Sequence, residues 1–269
     1  MTVQTPSPEV ILSLASQLAD VAAEQTLKWF RAPALVTQNK WAEGFDPVTE
    51  ADRAAEAAMR ALLKVQRPDD SVIGEEAQNT VGTSGLSWVL DPIDGTRGYV
   101  SGTPTWGTLI ALNDGQQPIF GVIDQPYTAE RFVGGLGMAF LERHGVKTPL
   151  ATRRKRHLSE ATIFTTFPEV GSPLEAEAFH AVAGQCQLTR YGMDCYAYAL
   201  LAAGQIDLVI EAGLQAYDIQ APMALVQAAG GVVSDWRGGN PMNGGRCICA
   251  ATPELHAAAL EILREVPLG

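Results

Sequence analysis

The sequence predicts a layered α/β protein made of two subdomains. Three observations predict it: helical periodicity at the start, an antiparallel hairpin signal in the middle, and strand–helix alternation beyond about residue 150. With 269 residues and 46% hydrophobic content, the chain can bury the core of one large domain or of two tightly joined halves. We divide it into residues 1–150 and 151–269.

The elements follow in order. Val10, Ile11, Leu14, Leu18, Val21 and Ala22 fall near one face of a helix that runs to about Phe30. A polar, glycine-containing stretch, Gln38–Asp46, breaks the pattern. A second helix begins at Thr49, where Asp52, three residues on, makes a capping box with a shorter acid. Its apolar stripe is Ala55, Met59, Leu62 and Leu63. Short strands are expected at Ser71–Gly74, Trp88–Leu90, Gly107–Leu112, Ile119–Ile123 and Arg131–Val133. Asn113-Asp114-Gly115 reads as the turn of a hairpin. In the second half we expect a strand near Thr162–Thr166 and helices at Leu174–Ala183 and Cys195–Ala203. Strand Ile206–Glu211, helix Asp218–Ala229, strands Val232–Ser234 and Cys247–Ala250, and a helix from Pro253 complete the chain.

Charge and composition exclude several function classes. A net charge of -11 argues against nucleic acid, whose phosphates are bound through Lys and Arg. It leaves a small phosphorylated substrate open, because divalent cations held by carboxylates reverse the local field. The basic run Arg153-Arg154-Lys155-Arg156 reads as a solvated loop. No apolar run approaches the roughly 20 residues of a membrane helix. The start, MTVQTPSPEV, has neither the basic nor the apolar region of a secretory signal, so the cytoplasm is the expected compartment. Cys186, Cys195, Cys247 and Cys249 form no CxxC and are expected as reduced thiols, the last two in a strand core.

The chemically informative segment is Trp88-Val89-Leu90-Asp91-Pro92-Ile93-Asp94-Gly95-Thr96. An apolar strand ends at Asp91 and the chain turns through Pro92 and Gly95. Two carboxylates three residues apart in such a turn converge on one point, and hard cations such as Mg²⁺ prefer oxygen ligands. Gly95 and Thr96 are expected to open a helix whose free N–H groups favour phosphate. A single DxxD in a turn is weak, since Asp favours turns for local reasons. Two further acidic strand ends strengthen it: Ile73-Gly74-Glu75-Glu76, and the junction flanked by Glu211 and Asp218.

Taken together, Gly74-Glu75-Glu76, Asp91-Pro92-Ile93-Asp94-Gly95-Thr96 and Tyr217-Asp218, in this order, resemble the metal-site motifs of the inositol monophosphatase superfamily. Asp46-Pro47-Val48-Thr49-Glu50-Ala51-Asp52 and Ala228-Ala229-Gly230-Gly231 with Asp235 resemble its flanking signatures. The resemblance implies an α/β layered sandwich in α-β-α-β-α order, like that of inositol monophosphatase and fructose-bisphosphatase. It implies a Mg²⁺-dependent phosphomonoesterase with two or three ions per site, and a homodimer. Glu75, Asp91 and the Ile93 carbonyl would hold one ion, and Asp91, Asp94 and Asp218 a second, with Glu75 also near a weaker third. The first subdomain would then carry most of the ligands. Thr96 and Asp52 would orient the attacking water, and Lys40 is a further candidate. Asp94, Gly95 and Thr96 would meet the substrate.

Details such as Asp94-Gly95-Thr96-Arg97 and Tyr191-Gly192-Met193-Asp194-Cys195 look most like the histidinol-phosphatase branch. Chemistry points the same way. Histidinol phosphate carries an ammonium group and an imidazole, so its site benefits from acids beyond the metal ligands. Asp194 is one such acid, and Glu211 would lie nearby. Asp194 also reads as the N-cap of the following helix, and one residue can serve both ends. Alternatives are a phosphatase for inositol 1-phosphate or another sugar or nucleotide monophosphate, and, more remotely, a non-catalytic metal- or phosphate-binding protein. A haloacid-dehalogenase-type site is disfavoured, because its two Asp residues stand at i and i+2. His144, His157, His180 and His256 lie in no motif. Gly134-Gly135-Leu136-Gly137 lacks a full dinucleotide fingerprint. Trp88, Trp106 and Trp236 read as packing residues, with Trp106 also a candidate for the pocket wall.

Overall fold

The computed structural model describes residues 5–33, 37–39 and 47–267, so Lys40 and Asp46 lie outside the described residues. Its helices and sheets stack in five layers, α-β-α-β-α, as expected. The outer layer is α1 (Pro8–Trp29) and α2 (Glu50–Gln66). α1 buries Ile11, Leu14 and Leu18 with Ala15, Ala19 and Ala22, a stripe whose small residues let it lie close against α2 and the sheet beneath. α2 starts as its sequence dictates: Thr49 N donates to Asp52 Oδ2 at 2.8 Å, and Ala51 N donates to Thr49 Oγ1 at 3.1 Å. A two-stranded ribbon, β1 (Thr37–Asn39) with β2 (Pro47–Thr49), precedes it.

The second layer is a seven-stranded sheet in sequential order: β3 (Ser71–Gly74), β4 (Ser87–Asp94), β5 (Gly107–Asn113), β6 (Pro118–Gln125), β7 (Glu130–Gly135), β8 (Met138–Arg143) and β9 (Val146–Pro149). Only β3 and β4 run parallel in it; each later pair is antiparallel. The turn at Asn113-Asp114-Gly115 joins β5 to β6, as predicted. Strands β8 and β9 were not predicted; their residues alternate weakly because much of this edge is half-exposed or exposed. Alternation sorts the rest of the sheet. Trp88, Leu90, Ile110, Leu112 and Val122 face α1 and α2, while Val89, Leu109, Ala111 and Ile123 face inward.

The middle layer is α5 (Asp194–Ala202) and α6 (Ala216–Ala228), covered on its far side by a five-stranded sheet. That sheet is ordered β11 (Leu188–Tyr191), β10 (Thr162–Thr165), β12 (Leu208–Leu214), β14 (Gly245–Ala250), β13 (Val232–Ser234), with β14 antiparallel to its neighbours. α4 (Pro173–Ala183) and α7 (Pro253–Leu263) close the stack. Gly134 finds its reason here. A Cβ on Gly134 would stand 2.4 Å from Leu225 Cα, and one on Gly121 would stand 2.4 Å from Ala221 O. Bare backbone at both places lets α6 rest directly on the sheet, so Gly134-Gly135 is a packing feature and no dinucleotide loop.

The four cysteines are free thiols, and Cys247 and Cys249 are buried in the strand core. The basic run lies in a loop where Arg153 pairs with Asp207 and Arg156 with Glu254. Among the described residues, no helix is long and apolar enough to cross a membrane.

Candidate active site

β4 does not stop at Asp91, as its sequence suggested, but continues to Asp94 with a break in register between the two. Pro92 has no N–H for the ladder, so the interior strand bulges there. Thr108 Oγ1 fastens the bulge by donating to Pro92 O at 2.8 Å, and Ile93 N donates to Asp91 Oδ1 at 3.1 Å. The bulge turns Asp91 and Asp94 toward one point. Asp218 reaches it from the first turn of α6, where its carboxylate also accepts from Gln215 N at 2.7 Å. Ligand oxygens of Asp91, Asp94 and Asp218 lie within 4.8 Å of one another.

These acids line a cleft of about 450 Å³, together with Glu75, the Ile93–Arg97 turn, Phe167, Asp194 and Tyr217. α3 (Thr96–Ser101) begins at Thr96 after Gly95, whose φ of 82° is easy for glycine alone. Thr96 Oγ1 donates to Ile93 O at 3.1 Å and stands 3.5 Å from Asp52 Oδ1. Asp52 is fully buried behind Thr96 and does not itself line the cleft. Burial, reinforced by the charge of Glu75, raises its carboxyl to about 6.

The electrostatics describe a site made for cations. Burial first, then the charges of Glu75, Asp94 and Asp218, push Asp91 well above the usual carboxylate range. Asp94 is pushed up by burial and then by Asp194 and Asp218. Such crowding is costly for the protein alone and favourable around hard divalent ions, which take carboxylate oxygens. The donor set fits Mg²⁺.

Asp194 lines the cleft but is not an N-cap. Met193 holds that position, and Asp194 is the first helical residue of α5, at φ 45°. Its carboxylate packs over Gly95, where a Cβ would come within 2.8 Å of Asp194 Cγ. Burial lifts it to about 6, against the pull of Arg97. Glu211 is not among the residues lining the cleft. It accepts from Thr165 Oγ1 at 3.0 Å, Thr166 N at 2.6 Å and Thr166 Oγ1 at 2.8 Å, which fastens the strand end leading to Phe167. Phe167, with Arg97 stacked 4.8 Å from its ring centroid, was missed by sequence reasoning. A lone aromatic after a short strand gave no signal. Trp106 is wholly buried against Phe30 and Tyr99 and is no part of the cleft. None of the four histidines lines it either.

Comparison with known proteins gives the family. Residues 7–268 match the model of the inositol monophosphatase family. A solved inositol monophosphatase from Zymomonas mobilis shares 38% identity, with a TM-score of 0.84, over 97% of this chain and 100% of that one. A histidinol-phosphatase of Streptomyces coelicolor is 35% identical over 94% of this chain and 97% of its own length. The bifunctional phosphatase IMPL2 of Arabidopsis thaliana, chloroplastic, is 38% identical over 84% of this chain, which spans 64% of that relative. A match across nearly the whole chain, on a fold that gathers the acids of three separate strand ends, makes this protein a phosphomonoesterase of the inositol monophosphatase family.

Proposed function

We propose that the protein is a Mg²⁺-dependent phosphatase that hydrolyses histidinol phosphate to histidinol and phosphate. The observation that carries the substrate is Asp194, an acid in the cleft additional to the carboxylate cluster. With its carboxyl raised only to about 6, it is mostly ionised at neutral pH and suits a cationic leaving group. The name of the Streptomyces relative supports the same reading.

In this reading Glu75, Asp91 and the Ile93 carbonyl would hold one Mg²⁺, and Asp91, Asp94 and Asp218 a second. Glu75 also stands near a weaker third. When bound, the ions supply Lewis acidity to the phosphoryl group, acidify the attacking water and neutralise the leaving oxygen. The chain's own residues do the rest. Thr96 orients the water; with the Ile93 carbonyl taken by an ion, its hydroxyl would donate to Asp52 behind it instead of to Ile93 O. Gly95 and Thr96 offer backbone N–H groups to the phosphate beside Asp94, and Asp194 holds the substrate's cation. Glu211 supports this wall through Thr166 rather than by lining it. The same reading takes the protein as a cytoplasmic homodimer, and a monomer mass in light scattering would remove the dimer.

Inositol 1-phosphate is the second reading, favoured by the 38% identity to the Zymomonas enzyme. A phosphate-release panel with Mg²⁺ decides between them, using histidinol phosphate, inositol 1-phosphate, fructose 1,6-bisphosphate and adenosine 3′,5′-bisphosphate. Histidinol phosphate should have the highest kcat/KM. A higher value for inositol 1-phosphate would overturn the assignment.

A further inference from the structure

The turn that carries Glu75 has no regular structure of its own, since residues 75–77 leave β3 as a bend. What holds it is the carboxylate of Glu56, a residue 1% exposed on α2. Glu56 Oε2 accepts from Glu76 N at 2.7 Å, and Oε1 accepts from Ala77 N at 3.0 Å. Arg60, one turn further along α2, donates from Nε to the same Oε1 at 2.7 Å and from Nη2 to Ala77 O at 3.1 Å. The turn is therefore gripped through its main chain on both sides of the Ala77 residue. Gly74 makes room for the grip, because a Cβ there would stand 2.3 Å from Glu56 Oε1.

The pattern on α2 is informative. Asp52, Glu56 and Arg60 stand at i, i+4 and i+8, on one face of the helix. Asp52 backs Thr96, and Glu56 backs the turn of Glu75. A buried carboxylate is an expensive way to stabilise a fold, since desolvation offsets much of what its partners return. Among the described residues, its hydrogen-bond partners on other elements are the backbone amides of Glu76 and Ala77, in the turn that carries one cleft acid. Residues that orient metal ligands from behind tune affinity strongly.

We infer that Glu56 is a positioning residue that sets the Mg²⁺ affinity of the site by fixing the turn of Glu75, with Arg60 as its accessory. The inference rests on the reading of Glu75 as a metal ligand. A purely structural role for Glu56 would lower thermal stability and leave metal affinity unchanged.

The test is calorimetric titration of Mg²⁺ into metal-free protein, for wild type, Glu56→Gln, Arg60→Ala and Glu75→Gln, with hydrogen exchange at Glu76 and Ala77. Gln at position 56 keeps the size but turns an NH₂ toward one of the two amides. Mg²⁺ binding to Glu56→Gln should weaken by about 10- to 100-fold, the usual cost of losing such a partner. The two amides should exchange faster, and kcat should recover at saturating Mg²⁺ with KM little changed. Arg60→Ala should move the same way by less. A folded Glu56→Gln with wild-type Mg²⁺ affinity overturns the inference; if that variant does not fold, wild-type affinity in Arg60→Ala does so. Weak binding by Glu75→Gln beside normal binding by Glu56→Gln removes the inference alone. Wild-type binding by Glu75→Gln removes the ligand reading and the inference with it.

Discussion

Cys195 N donates to Asp94 Oδ2 at 2.6 Å, so the first turn of α5 holds an acid that lies 101 residues earlier in the chain. The same turn presents Asp194 to the cleft. One helix start from the second half thus braces the carboxylate cluster through its backbone and adds a further acid through a side chain.

Asp91 is the acid that the two principal Mg²⁺ ions would share. Asp91→Asn should lower kcat/KM by at least about three orders of magnitude, or ~4 kcal/mol of transition-state stabilisation. Chelation should abolish wild-type activity and Mg²⁺ restore it. In metal-free protein the same substitution should raise the thermal midpoint increasingly as pH rises, because it removes a carboxyl whose ionised form burial, Glu75, Asp94 and Asp218 disfavour. Full turnover in excess EDTA would sink the mechanism.

Thr96→Ala should lower kcat by roughly 10²- to 10³-fold with little change in KM, as expected for a group that orients the attacking water. Steady-state kinetics at saturating Mg²⁺ measure this. An unchanged kcat would reduce Thr96 to a helix-start residue that bonds Ile93 O.

Asp194→Asn should weaken histidinol phosphate selectively, by about ten- to a hundredfold in kcat/KM, since charge-assisted hydrogen bonds contribute roughly 1.5–3 kcal/mol. A neutral ester such as β-glycerophosphate should lose much less. The backbone tolerates the change, because Asn accepts the left-handed φ of 45° found here. Equal losses for both esters would take Asp194 out of substrate selection.

Glu211 links stability to pH. Burial, the largest cause, lifts its carboxyl from 4.5 to about 7, against the pull of Thr166 and Thr165. A folded value above the unfolded one means that the group's stabilising contribution is complete below pH 4.5. It is lost as pH rises through about 7. Relative to Glu211→Gln, metal-free wild type should lose on the order of 3 kcal/mol across that window, read by urea unfolding. Parallel curves for the two proteins would refute it.

Much of this was legible from local pattern. The capping box of Thr49 and Asp52 and the hairpin at Asn113-Asp114-Gly115 are decided within a few residues. Element ends were less legible. β4 ran on past Asp91 because Thr108, from the neighbouring strand, fastens the bulge at Pro92. The edge strand β11 (Leu188–Tyr191) went unseen because its residues are mostly exposed and carry no buried alternation.

The sequence by itself determined the layered class, the family, and which acids stand at strand ends, since periodicity and motif spacing are properties of neighbouring residues. Only the tertiary structure decided what holds those acids. Cys195 braces Asp94, Glu56 grips the turn of Glu75, and Glu211 turns to Thr165 and Thr166. Trp106 joins Phe30 and Tyr99, away from the cleft. Each of these depends on which layer lies against which, and burial alone then sets the cost of leaving a carboxylate or an amide without its partner. Short-range pattern carries no information about that pairing.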